Sequence, residues 1–196
     1  MALYRHSLSG TFPGEQWSVR IHSVGAGSLT AAQTAWETAV NDLWTDWAPL
    51  ICADVSATEA STAALDEATG LQLTKTSSPL ALPGTNAGAC LPFQCAPVIS
   101  FRTAVATRAG RGRIYAPSLG VDQQAGGTLI AGAQTALLNG AVAMFAALSG
   151  GGFTGSLFSY TTHAETTITS VDVGNVIDTQ RRRRNKLVET RVSANV

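Results

Sequence analysis

"QWSVRIHSVGAGSLTAAQTAWETAVNDLWTDWAP", residues 16–49, decides the fold class of this chain because its hydrophobic period changes halfway along. From Gln16 to Val24 the pattern alternates, with Trp17, Val19 and Ile21 on one face and Ser18, Arg20 and His22 on the other, as in a half-buried β-strand. "FPG" before this run and "GAG" after it are turn punctuation. The spacing then becomes helical. Trp36, Val40, Leu43, Trp44 and Trp47 form one stripe, Thr30 and Gln33 make a T-x-x-Q capping box, and Pro49 closes the far end. The stretch predicts a strand followed by a helix over 30–47. Three tryptophans on one helix face can stack a base or a sugar, but at this spacing they read as core.

Working outward, the segment 51–97 holds a short strand either side of a Thr69–Gly70 turn, then a proline-rich loop over 78–97. Val98 to Ala106 and Arg113 to Ala116 predict a hairpin whose arginine-rich tip spans 107–112. A second helix is predicted over 128–148, ended by Gly150 to Gly152, and the chain finishes in strands Leu157–His163 and Thr167–Gln180. Together these predict a single α+β domain over 1–196, a mostly antiparallel sheet packed against helices 30–47 and 128–148.

Composition narrows the class further. Apolar residues make up 45% of the 196, enough for a core, while charged residues make up only 13%, about half the usual share. Disordered chains are charge-rich and core-poor, so disorder is excluded. A surface so short of charge predicts contact with copies of the same chain. The charge is also segregated: residues 1–98 carry eight acids and three bases, residues 99–196 five acids and ten bases. Such asymmetry suits head-to-tail packing between copies or one face turned to an anion, unless the halves interleave and cancel locally.

No Asp, Glu, Lys or Arg occurs from Gln123 to Thr162. That length suits a membrane span, but Gln134, Thr135 and Asn139 sit in its middle. Gly132, Ala136 and Gly140 at four-residue spacing let a helix lie close on a neighbour, so a core helix is expected and no membrane partner. "MALYRHSLSG" lacks the apolar core of a signal peptide, so no export is expected. Cys52, Cys90 and Cys95 contain no CxxC pair and are expected as reduced, buried thiols.

Catalytic signatures are absent: no HExxH, no GxSxG, no Walker loop. Gly150, Gly152 and Gly155 spell G-x-G-x-x-G, but after a helix and before a strand, the reverse of a dinucleotide site. His6, His22 and His163 lie on separate elements without an acid at ligand spacing, and are expected on exposed or strand-face positions. The expectation is therefore a protein that is not an enzyme and holds no metal or cofactor. The weaker alternative is a site assembled across subunits from Asp172, Asp178 and His163.

The arginines carry the information. Arg102, Arg108, Arg111 and Arg113 form one group, and Arg181, Arg182, Arg183, Arg184, Lys186 and Arg191 the other, within an arginine-rich segment over 181–191. Guanidinium forks grip carboxylates and phosphates bidentately, so three fates compete: phosphate contact with nucleic acid, salt bridging to the acidic half of a neighbouring subunit, or a solvated strand end. In one extended strand from Val171 to Arg184, Arg181 and Arg183 would share one face and Arg182 and Arg184 the other. That favours a strand end wedged between neighbours, and no aromatic residue is interleaved to stack bases.

The tail "VDVGNVIDTQRRRRNK", the hairpin "SFRTAVATRAGRGRIYAP" and the charge-poor Ala/Gly/Thr texture resemble small virion structural proteins of bacteriophages and other simple viruses. The resemblance implies a particle building block (shell, decoration or head–tail connection) assembled in the host cytoplasm. Its partners would be copies of itself, other virion proteins, and packaged nucleic acid through the arginines. Interlocking would then run through the loop 78–97, the hairpin tip and the arginine-rich segment. A nucleic-acid-binding module using both arginine clusters is the alternative.

Overall fold

The computed structural model describes residues 3–12, 15–24, 27–90, 97–103, 111–125, 128–149, 156–161, 164–167, 172–173, 176–177 and 191–192. The fold is α+β, as expected. The strand at the head of the opening stretch is β2 (Glu15–Val24), which pairs antiparallel with β1 (Leu3–Phe12) in continuous register from Leu3↔Val24 to Phe12↔Glu15. On its other side β1 pairs with β3 (Ser56–Leu65), which pairs with β4 (Gln72–Pro83), both antiparallel. With the short β12 (Val176–Ile177) this sheet has the order β12-β2-β1-β3-β4.

α1 (Leu29–Trp47) lies on this sheet. Its cap differs from the T-x-x-Q expectation. Ser28 is the N-cap, its Oγ accepting from Ala31 N at 3.1 Å, and the Gln33 side chain turns instead to Glu37, Ser78 and the carbonyl of Ala60. The tryptophan stripe is core, as its spacing predicts. Each indole also donates to a backbone carbonyl on a different element: Trp36 to Ser7, Trp44 to Pro83 and Trp47 to Leu137, all at 2.9–3.0 Å. A buried indole N–H must find an acceptor, so these bonds fix the azimuth of α1 as well as its apolar face. Trp17 stacks on Trp44, ring centroids 5.9 Å apart.

α2 (Ala131–Ser149) packs along α1. By length and hydropathy it is apolar enough to cross a membrane, yet Ala133, Leu137, Ala141, Met144 and Phe145 are buried in the same core cluster as the α1 tryptophans. The helix starts three residues later than expected, because Gln124–Ala125 (β7) and Thr128–Leu129 (β8) form a small hairpin before it.

The expected single sheet is in fact two. β5 (Pro97–Thr103), β6 (Arg111–Tyr115), β9 (Ser156–Thr161), β10 (Ala164–Thr167), β11 (Asp172–Val173) and β13 (Arg191–Val192) form a second sheet, ordered β11-β5-β9-β10-β13 with β6 on β5. The 98–116 hairpin is present as β5–β6; Arg111 and Gly112, expected in its tip, already pair in β6, and 107–110 lie outside the described residues. The expected strand Thr167–Gln180 is divided. Asp172–Val173 pairs with β5, while Val176–Ile177 pairs with β2 of the first sheet. A β-rich run takes whichever edge tertiary packing offers.

The loop expected over 78–97 also needs correcting at its start. Residues up to Pro83 belong to β4, which tolerates Pro79 and Pro83 because it is an edge strand and because its register with β3 slips between Ala57 and Glu59. The next residues are stitched down: Gly84 N donates to Val55 O, Thr85 N to Ala48 O and Asn86 N to Ile51 O. Cys52 and Cys90 are joined as a disulfide, Cα–Cα 5.7 Å, which overturns the expectation of free thiols for these two; Cys95 lies outside the described residues. This bond closes a chain segment of sequence separation 38 containing all of β3 and β4, so reduction should cost roughly 2–4 kcal/mol by loop-closure entropy. A reductant should lower the melting temperature of the wild type and leave Cys52→Ser/Cys90→Ser unmoved. Equal response of both proteins would sink the assignment.

Candidate functional site

The first arginine group is brought together by the β5–β6 ladder. Arg102 stands opposite Arg111, and Arg113 opposite Ser100, so the three arginine positions fall on one face of the second sheet. Ile114, in the alternate set, is 1% exposed and belongs to the core cluster. On its other side Arg102 is in register with Asp172 of β11. Arg191 of β13 is in register with Glu165 of β10. Arg108, Arg181, Arg182, Arg183, Arg184 and Lys186 lie outside the described residues.

Asp172 and Glu165 thus share the second sheet with the arginine positions, while eight further acids are elsewhere. Glu15, Glu37, Asp42, Asp46, Asp54, Glu59, Asp66 and Glu67 all sit on β2, α1, β3 or the connections of the first sheet. Among the described residues three bases share that layer: Arg5, Arg20 and Lys75, the last paired to Glu59 at 3.2 Å. Among the described residues the acids of 1–98 therefore lie with the first sheet, although β12 from the second half of the chain joins that sheet and α2 shares its core.

Two histidines take strand-face positions, as expected, but both are buried. His6 and His22 lie on adjacent strands and face opposite sides of the sheet. His6 is fully buried under α1, its ring 5.2 Å from that of Trp36, with Nδ1 2.9 Å from Thr62 Oγ1 and Nε2 2.6 Å from Ser23 Oγ. Burial first, and the charge of His22 second, push its pKa down to about 3. His22 is lowered to about 4 by burial, then by the Arg5 and Arg20 guanidinia. A serine hydroxyl on an imidazole is the pairing a nucleophile needs. Here the imidazole is sealed from solvent, and its second nitrogen meets a threonine, where catalysis calls for a carboxylate. The Ser23–His6–Thr62 chain ties three strands together.

Of the alternative cross-subunit catalytic set, Asp172 lies on β11, while His163 and Asp178 fall outside the described residues. Among the described residues no three His, Cys, Asp or Glu side chains converge as metal ligands. The strongest non-core arrangement is the charge placement itself, acidic on the first sheet and arginine-bearing on the second. Its acidic side was legible in the composition of residues 1–98; its confinement to one sheet was not. No family model, curated protein or solved structure matches this chain.

Proposed function

We propose that this chain is a structural virion protein that assembles with copies of itself into a phage or viral particle, as a shell, decoration or head–tail connection component. The observation that carries this reading is the unequal division of charge in one charge-poor molecule: among the described residues eight acids and three bases lie with the first sheet, and four arginines and two acids on the second. An acidic layer and an arginine-bearing layer on the same subunit are complementary between copies, and opposed potentials set register and suppress wrong contacts. The Cys52–Cys90 bond agrees with a particle that leaves the reducing cytosol, since disulfides persist on virion surfaces.

Light scattering on the purified protein tests this. A large discrete assembly is expected, and a 20.3 kDa monomer at every concentration would overturn the reading. Replacing Arg181 to Arg184 together by alanine should weaken assembly while the subunit melts as the wild type does. Undiminished assembly would remove that segment from the mechanism.

The placement of Arg102, Arg111 and Arg113 on one sheet face favours a second reading, in which they meet nucleic-acid phosphates. Binding through about six arginines should weaken on the order of 1000-fold between 50 and 200 mM salt. The 260/280 nm absorbance ratio of the assembled peak separates a filled particle from an empty one.

A further inference from the structure

We propose that the Cys52–Cys90 disulfide is a redox-operated clasp. Oxidised, it fixes residues 87–90 against 120–121; a small thiol that reduces it releases that contact while Asn86 stays anchored. The inference stands independently of the assembly reading.

Three connections meet at this bond. Residues 50–55 lie between α1 and β3, 84–90 follow β4, and 118–123 lie between β6 and β7. Isolated bridges join them in pairs: Ile51 to Leu119, Cys52 to Asn86 and Cys90 to Gly120. Backbone bonds run between them as well. Gly120 N donates to Leu50 O at 3.0 Å, Cys52 N to Ser118 O at 3.2 Å and Ala53 N to Asn86 O at 2.9 Å. The approach is so close that a Cβ at Gly120 would strike Asn86 Oδ1 and Asp122 Oδ1.

The segment 84–90 has two anchors of different chemistry. Asn86, 8% exposed, is the first. Its N–H donates to Ile51 O at 2.9 Å, and its Nδ2 donates to Pro49 O at 3.3 Å and to Asp122 Oδ1 at 3.0 Å. None of these bonds responds to a reductant. Beyond Asn86 the hold thins. Ala87, Gly88 and Ala89 are exposed, and Gly88 N turns back to Asn86 Oδ1 at 2.7 Å. Across to the third connection runs the bond from Val121 N to Ala89 O at 2.8 Å. One backbone bond at an exposed site contributes little net. The Cys90 sulfur is therefore the second anchor, and it alone is redox-sensitive.

Access makes the clasp operable from one side. Cys52 is 1% exposed and Cys90 half-buried, so the thiolate of glutathione meets the Cys90 sulfur first. It bonds to Cys90 Sγ as the Cys52–Cys90 bond breaks, and Cys52 leaves as a thiolate that takes up a proton. A second thiolate attacks the glutathione sulfur of the mixed disulfide. Glutathione disulfide departs, and the Cys90 thiolate is protonated in turn. One protein disulfide is reduced, two glutathione thiols are oxidised, and glutathione disulfide runs the steps backwards. With the clasp open, the last anchor before β5 among the described residues moves from Cys90 back to Asn86.

The test uses the whole chain carrying Cys95→Ser, so that no third thiol exchanges, and reads amide hydrogen exchange before and after reduction. Reduction lowers protection everywhere as far as it lowers global stability, so the Val121 amide is measured against the Asn86 amide of the same sample. That ratio should fall about tenfold or more on reduction, because only the Val121 bond opens locally. Glutathione disulfide should restore it. Cys90→Ser, a permanently open clasp that keeps the buried Cys52, should show the reduced ratio with no reductant present. An unchanged ratio would overturn the clasp and leave the bond as a plain staple of β3 and β4. Brief exposure to glutathione, quenched by alkylation and mapped by peptide mass, should place the mixed disulfide on Cys90. Equal labelling of Cys52 would overturn the one-sided route. Free thiols at both positions after treatment with glutathione disulfide would overturn the clasp itself.

Discussion

Lowering the pH from about 7 to about 4 should destabilise this protein by on the order of 3 kcal/mol for each of His6 and His22, enough to unfold a domain of ordinary stability. The sign is set by the direction of the shifts. Both folded pKa values are depressed, His6 to about 3 and His22 to about 4, while the unfolded chain titrates near 6.5. Within that window the unfolded state binds protons that the folded state refuses, so stability rises with pH and is lost as pH falls. Protonating His6 would place a charge among Trp36, Thr62 and Ser23, where a neutral ring already uses both nitrogens. Glu37 and Asp66 are shifted down too, by their hydrogen bonds to Ser78 and Thr69, and add their loss only at lower pH. Urea midpoints at pH 7, 5 and 4 measure the effect, and His6→Gln should remove about half of the slope. Equal stability at pH 7 and pH 5 would mean that the two rings are not buried as described.

The seam between the helices sets the second large expectation. Trp47→Ala removes a fully buried indole and its 3.0 Å bond to the Leu137 carbonyl, and should cost about 3–5 kcal/mol. The close approach that admits this indole depends on Gly140. A Cβ added there would lie 2.7 Å from Trp47 Cδ1 and 2.8 Å from the Leu43 carbonyl oxygen, which belongs to the backbone of α1 and cannot step aside. Gly140→Ala should therefore destabilise by about 1–3 kcal/mol, although alanine is the better helix former. Gly132→Ala, on the same helix with nothing within 4 Å, should be neutral or gain up to about 1 kcal/mol. Thermal melts of the two variants give the contrast directly; losses of equal size would refute the packing argument. The four-residue spacing pointed to close helix approach at both glycines, and only one of them is used.

How far the sequence could be read depends on what carried each signal. β2 was legible because Trp17, Val19 and Ile21 are apolar and alternate. β1, its partner, was not, because the matching inward positions are Tyr4, His6, Leu8 and Gly10, half of which look polar or featureless. His6 becomes a core residue only when Ser23 and Thr62 arrive from two other strands to bond it. β3 was underread for a related reason: its buried residues are mostly Ala, Ser and Thr, whose small apolar signal disappears in a propensity reading. The capping box at Thr30 lost to Ser28 because Gln33 gains more from the buried α1–β3–β4 contact than from closing a helix end.

The sequence by itself determined the class: an α+β fold, a helix with a tryptophan stripe, a hairpin carrying arginines and an uncharged core helix. These come from periodicity and composition, which act over a few residues. Tertiary structure alone decided that the strands divide into two sheets and that Cys52 finds Cys90. It also placed the acids of residues 1–98 with the first sheet and three arginine positions on a single face of the second, which carries Glu165 and Asp172 as well, and it left β4 bonded, among the described strands, to β3 alone beside two exposed leucines. Each of these depends on which distant segments become neighbours, and backbone edges pair by availability, with no local code to announce the partner.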